Sequence, residues 1–153
     1  MSTPFKLIKM RSLAMLLASA GASAGAHADD SRFTSAAAPV NATGADIYGH
    51  ICQSCHMAQG QGAVGAGQYP KLAGDPALVS WQYVALTVLN GKNGMPAFGL
   101  WEYEFVFGAV HLSDAQVAEV VNYVRSHFGN KWKGSVTVDQ VAALPHPGNS
   151  SER

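Results

Sequence analysis

The sequence is poor in charge. Only 13% of its 153 residues are Asp, Glu, Lys or Arg, with ten basic against ten acidic side chains. No lysine and arginine cluster is dense enough to track a phosphate backbone, which excludes a nucleic-acid surface. Cysteine is scarcer still, at two residues, and a zinc site of about four ligands, usually two knuckles, cannot be built from one pair. Long apolar runs are missing. The most apolar stretch, Ser12 to Ala26, is too short and too rich in Gly and Ser to span a bilayer comfortably. No internal repeat is visible, and the length suits one domain with tails.

What the first residues do contain is an export pattern. Lys6, Lys9 and Arg11 precede the apolar run, and Ala26, His27 and Ala28 supply a small-x-small cleavage site. Residues 1–28 therefore read as a signal peptide removed before Asp29, which puts the remainder in the periplasm. The alternative, an uncleaved membrane anchor, lacks a long core of Leu, Ile and Val. Removal takes away three of the ten basic residues and no acidic one, leaving seven against ten, a net formal charge of −3. Such a surface suits docking on other proteins.

Residues 29–41 are small and polar and read as a flexible lead-in. The domain proper is expected over 42–133, followed by a tail over 134–153 with one short helical turn. Thr43 and Asp46 predict a helix start that runs through Ile47, Tyr48 and Ile51. Four glycines between Gln59 and Gly67 predict a loop. Asp75 and Pro76 predict a second helix start, with Leu78, Trp81, Ala85 and Val88 at helical spacing until Asn90 and Gly91. Gly94 to Gly99 predicts another loop. Trp101, Tyr103, Phe105 and Phe107 alternate with other residues, which argues for an extended stretch between Leu100 and Leu112. Ser113 and Gln116 form a capping box for the most regular helix, with Val117, Val120, Val121, Val124 and Phe128 on one face and an end at Gly129 and Asn130. Thr137 caps a last turn through Ala143.

The chemistry sits in Cys52, Gln53, Ser54, Cys55 and His56, the c-type haem attachment signature. Two thiols three positions apart on a helical turn can each add to one vinyl group of the same porphyrin, and His56 is then directed at the iron. A thioredoxin-like dithiol needs a strand–helix context, which this helical approach lacks. A structural disulfide leaves His56 unexplained. The second axial ligand follows by elimination. Of five methionines, Met1, Met10 and Met15 leave with the signal peptide, and Met57 is confined to the side of His56. Met95 remains, 39 residues after His56 in a Gly/Pro loop that can wrap round the porphyrin edge. Met95 packed into a core is the plainer alternative. His50, His111, His127 and His146 are competing ligands, of which His111, next to the aromatic stretch, is the first to test.

With those residues in view, the chain resembles the class I monohaem cytochromes c over Ala42 to Asn130. The resemblance implies an all-α fold with crossed N- and C-terminal helices around one haem, interrupted here by a short extended aromatic insert. It implies Ile47 and Tyr48 facing Val120 and Tyr123. It also implies a proline carbonyl that accepts the proximal His N–H. Tyr69 to Gly74 looks like that segment, which makes Pro70 the candidate. Gly94 to Gly99, Leu112 to Val117, and Phe128 to Asn130 with Val138 to Ala143 are similar to haem domains of cytochrome subunits that serve membrane-associated or periplasmic dehydrogenases. Those subunits often carry several such domains, and this chain has one motif. It also departs from the family between Met95 and Ser113, where Leu100 to His111 is added.

The expected function is one-electron transfer by one covalent haem c, with His56 and Met95 filling both axial positions. The protein itself supplies a dry pocket and fixed ligands rather than a substrate site. Expected partners are a dehydrogenase upstream and an oxidase or reductase downstream, with no nucleic acid and no membrane except through those partners. The alternative is a haem enzyme or sensor, peroxidase-like, with an open sixth position; a disulfide protein without haem is a third class. The insert is expected either as a hydrophobic flap over the haem or as a docking surface anchored by Trp101 and Phe105.

Overall fold

A computed structural model of the chain describes residues 39–65, 67–100 and 110–148. The expected signal peptide, most of the lead-in, the bulk of the aromatic insert with Trp101 and Phe105, and the last residues of the tail lie outside the described residues.

The first helical run begins where Thr43 caps it. The Thr43 side chain accepts from the Asp46 amide while Asp46 returns a carboxylate to the Thr43 amide at 3.0 Å, so two of the orphan donors of a helix start are satisfied at once. The run is built of three joined pieces: α1 (Gly44–Ile47), a π-helical segment (Tyr48–Cys52), and α2 (Gln53–His56). In the π-helical segment the Gln53 amide reaches back five residues to the Tyr48 carbonyl. Ile47 and Tyr48 are buried, the face that anchors the run. Met57, at φ 65°, ends it.

The loop expected after the motif contains a small hairpin, which corrects the all-α expectation in one place. β1 (Ala63–Val64) pairs antiparallel with β2 (Gln68–Tyr69), with Ala63 opposite Tyr69 and Val64 opposite Gln68. The next helix also starts later than Asp75 and Pro76 suggest. Asp75 caps only a 3₁₀ turn (Pro76–Val79), and Ser80, in extended conformation, caps α3 (Trp81–Asn90) by accepting from the Tyr83 amide. The sequence holds two N-caps five residues apart, and the second wins because the Leu78 and Val79 carbonyls are taken by the Arg125 guanidinium instead of by a continuing helix.

The last long helix, α4 (Asp114–Ser126), has the expected capping box of Ser113 and Gln116. Val117, Val120, Val121 and Val124 are all buried, and each full burial contributes about 1.5–3 kcal/mol. It stops short of Gly129 because Ser126 turns its hydroxyl back onto the Asn122 and Tyr123 carbonyls and His127 is extended. The chain then doubles back to α5 (Val138–Ala142), whose Val141 is buried against α4.

α4 is the hub: α1, α3 and α5 all pack on it. The closest approach is at Gly44, where an added Cβ would sit 2.7 Å from Tyr123 Cβ and 2.9 Å from the Glu119 carbonyl carbon. Both are held by a rigid helix, so Gly44→Ala has to push α1 off α4. The helix propensity gained, about 0.5–1 kcal/mol, is smaller than the overpacking cost of about 1–3 kcal/mol. Gly44→Ala is therefore expected to lower stability in a denaturant titration of the haem-loaded protein. An unchanged midpoint would show that the two helices can part without cost.

Candidate functional site

Cys52 closes the π-helical segment and Cys55 lies one turn on, in α2. Both are half-buried and neither is bonded to the other. Burial pushes the Cys52 thiol up to about 12, which keeps it a neutral thiol. His56 is 8% exposed, and its Nδ1 lies 2.9 Å from the Pro70 carbonyl oxygen. A carbonyl only accepts, so Nδ1 carries the proton and Nε2 is the nitrogen left for a metal.

That pairing spans a sequence gap of fourteen residues, and the hairpin makes it. The Gly62 amide donates to the His56 carbonyl at 3.1 Å. Gly62 has φ 68°, and a Cβ there would stand 2.5 Å from the Tyr69 carbonyl oxygen and 2.8 Å from the Lys71 amide nitrogen. Only glycine takes that conformation at that distance, and it is what lets residues 69–71 lie beside the end of α2. The Gly60 carbonyl meanwhile accepts from the Leu72 and Ala73 amides at 2.7 and 2.8 Å, fixing the far side of the turn. Tyr48 adds a second clamp. Its hydroxyl donates to the Met57 carbonyl at 2.7 Å, and burial raises that hydroxyl to about 12, so it stays a donor. Its ring meets Phe128 at 4.6 Å and Tyr123 at 5.6 Å.

Met95 is half-buried and packs on the main core. Its loop is a short closed turn. Lys92 and Met95 exchange both backbone hydrogen bonds, at 3.2 and 2.9 Å, and Phe98 and Gly99 tie the loop back to the Val88 and Leu89 carbonyls at 3.0 Å each. Three of the competing histidines are held by other groups. His50 bonds the Asp46 carbonyl at 2.9 Å. His127 bonds the Tyr123 carbonyl and stacks on the Tyr123 ring at 4.0 Å. Both nitrogens of His146 are engaged, by Asp114 and by the Leu144 carbonyl. His111 is buried.

The donor set fits a porphyrin-borne iron. Among the described residues no three His, Cys, Asp or Glu side chains converge as a bare-metal site. A buried imidazole with one nitrogen already oriented, and two thiols a turn apart beside it, is the equipment for a tetrapyrrole attached through sulfur. Gly62 and Arg125 are parts of this architecture that sequence reasoning passed over, and Tyr48, expected as a position facing Tyr123, also clamps the Met57 carbonyl. Arg125 had a visible signal: it follows Val121 by four, so it falls on the apolar stripe of α4.

The site thus defines a protein built to hold haem through cysteine. Residues 39–104 match the family of cytochrome c oxidase, cbb3-type, subunit III. The chain is 38% identical over 114 residues to the gluconate 2-dehydrogenase cytochrome c subunit of Pantoea cypripedii, covering 67% of this chain and 24% of that one. It is 34% identical over 108 residues to the cytochrome c subunit of the quinone alcohol dehydrogenase of Gluconacetobacter polyoxogenes, covering 69% and 23%. Cytochrome c-552 of Thermus thermophilus is 33% identical over 113 residues, covering 67% of this chain and 84% of that one. The chain belongs to the cytochrome c family. It is a haem protein with a covalent c-type haem. It spans about a quarter of the length of the dehydrogenase subunits it matches.

Proposed function

We propose that Cys52 and Cys55 hold the single haem as thioethers, that His56 and Met95 are its axial ligands, and that the chain works in the periplasm. It would take electrons from a dehydrogenase and pass them to an oxidase or reductase. The observation that carries this reading is the buried His56 ring with Nδ1 committed to Pro70. A hydrogen bond from the unligated nitrogen fixes the ring's orientation and raises its basicity as a ligand. Haem supplies the one-electron couple when bound; the chain's own residues hold it, orient its ligand and keep water from it. Met95 sulfur as a ligand would raise the potential relative to a second nitrogen. The Met95 loop supports that role through its fixed geometry: Gly91, at φ 70°, allows the Met95 carbonyl to come where a Cβ would stand only 2.5 Å away. The relatives named as dehydrogenase cytochrome subunits support the upstream partner. No helix among the described residues is long and apolar enough to cross a membrane.

Met95→Ala tests the assignment. The ferric protein is expected to lose its near-infrared sulfur-to-iron band, to show high-spin features, and to have a lower reduction potential, with haem still covalently bound. A variant spectrum identical to the wild type would reject Met95, and a wild type without the band in which His111→Ala, rather than Met95→Ala, brings out high-spin features would transfer the role to His111. High-spin features in the wild-type protein would favour the peroxidase-like reading.

A further inference from the structure

The C-terminal tail crosses the molecule to the base of the Met95 loop. After α5, residues 144–148 run past the end of α3 and the start of α4. The Pro145 carbonyl accepts from Asn90 Nδ2 at 3.4 Å, and Asn90 is the residue from which the loop departs. A Cβ on Gly148 would be 3.9 Å from Leu100 Cδ2, where the loop ends. Leu144 packs on the buried core and so anchors the tail to it. Pro145 and Pro147 stiffen the crossing.

His146 fastens this strap. Its Nε2 lies 2.7 Å from Asp114 Oδ1, and its Nδ1 lies 2.7 Å from the Leu144 carbonyl oxygen. Both partners are acceptors only. A neutral imidazole has one bare nitrogen and would set a lone pair against one of them; only the imidazolium donates from both. Asp114 is fixed in place as the first residue of α4 and stands two residues beyond Leu112, whose amide donates to the Phe98 carbonyl at 2.9 Å. Strap and loop therefore share their anchor points.

We infer that residues 144–148 are a strap that holds the base of the Met95 loop closed while His146 carries both ring protons and loosens it when one is lost, which makes His146 a positioning residue for the distal methionine. This rests on Met95 being the axial ligand. Among the described residues, Asp114 is the charged group that faces His146; α3 presents the Asn90 amide there and the core presents Leu144. The hydrogen bond to Asp114 raises His146 above its ordinary value, against a smaller opposing effect of burial. Because the folded-state value is raised, the strap's contribution is complete below about pH 6.5 and disappears as pH climbs through the raised value.

The test uses the ferric, haem-loaded chain. The sulfur-to-iron band is followed from mildly acid to alkaline pH, together with the rate at which a constant concentration of free-base imidazole displaces methionine. In the wild type, displacement is expected to be about two- to fivefold faster at high than at low pH, the scale of a partly exposed ion pair. His146→Gln and Asp114→Asn should be fast at both ends, and His146→Lys, with its charge kept, slow at both. A His146→Gln protein that retains the wild-type pH dependence overturns the strap while leaving Met95 as ligand. A wild-type protein with no band at any pH overturns the ligand assignment itself, and the strap with it.

Discussion

Replacing Cys52 and Cys55 together with alanine is expected to leave the chain with no covalent haem at all. The measure is haem staining after denaturing electrophoresis, backed by a pyridine haemochrome spectrum. Each thioether withstands denaturation because it is a bond, whereas an iron–imidazole link is lost once His56 is no longer held by its fold. Either single replacement is expected to retain haem through the other sulfur, with a shifted haemochrome band from the vinyl group left unreacted. Haem that stays with the double variant through denaturation would show that attachment runs through some other residue. A thiol pair left without haem would, in the oxidising compartment proposed for this chain, be free to close as a disulfide. The neutral, half-buried Cys52 makes that slow in the folded chain, since only thiolate attacks.

Arg125→Met is expected to be the most destabilising change outside the haem site, by about 3–5 kcal/mol, the scale seen when one side of a buried charged interaction is removed. Arg125 is 5% exposed. Its Nε donates to the Leu78 carbonyl and its Nη1 to the Gly134 carbonyl, each at 3.0 Å, and Nη2 reaches Val79 and Lys133 at 3.4 and 3.3 Å. The charge is accommodated by carbonyl dipoles and by its place in the last turn of α4, where the helix field favours a cation. Methionine fills the volume and leaves these acceptors without their donor. A loss of that size is a large share of a domain's 5–15 kcal/mol or so. Arg125→Lys should recover only part of it, because a point charge cannot fork to four carbonyls on two sides. Guanidinium titration of the haem-loaded variants decides the matter: a methionine variant within about 1 kcal/mol of wild type would mean that water replaces the guanidinium at all four acceptors.

Much of the helical architecture could be read along the chain because its signals are local. Thr43 with Asp46, Ser113 with Gln116 and Thr137 with Gln140 are capping boxes whose two halves lie three residues apart, and the valines of α4 repeat at helical spacing. The reading failed where a distant group competes. Asp75 and Pro76 look like a sufficient helix start, yet the helix begins at Trp81, since Arg125, forty-seven residues on from Leu78, claims the carbonyls between. The hairpin of Ala63 to Tyr69 escaped notice because two-residue strands leave no alternation to detect, and a glycine-rich stretch looks like any loop.

The site divides the same way. The haem motif is five consecutive residues, and its chemistry is legible without a fold because the two thiols and the imidazole belong to one helical turn. Pro70 came into view only through resemblance, and what brings its carbonyl to His56 is Gly62, whose positive φ and lack of a side chain admit the returning strand. The sequence alone thus determined what this protein holds and which residues are proposed to hold it. The tertiary structure decided how those residues are aimed. His56 meets Pro70, Arg125 meets Leu78 and His146 meets Asp114 across 14, 47 and 32 residues respectively. The first is set by the hairpin at Gly62 and the other two involve residues of α4, and no local propensity encodes any of them.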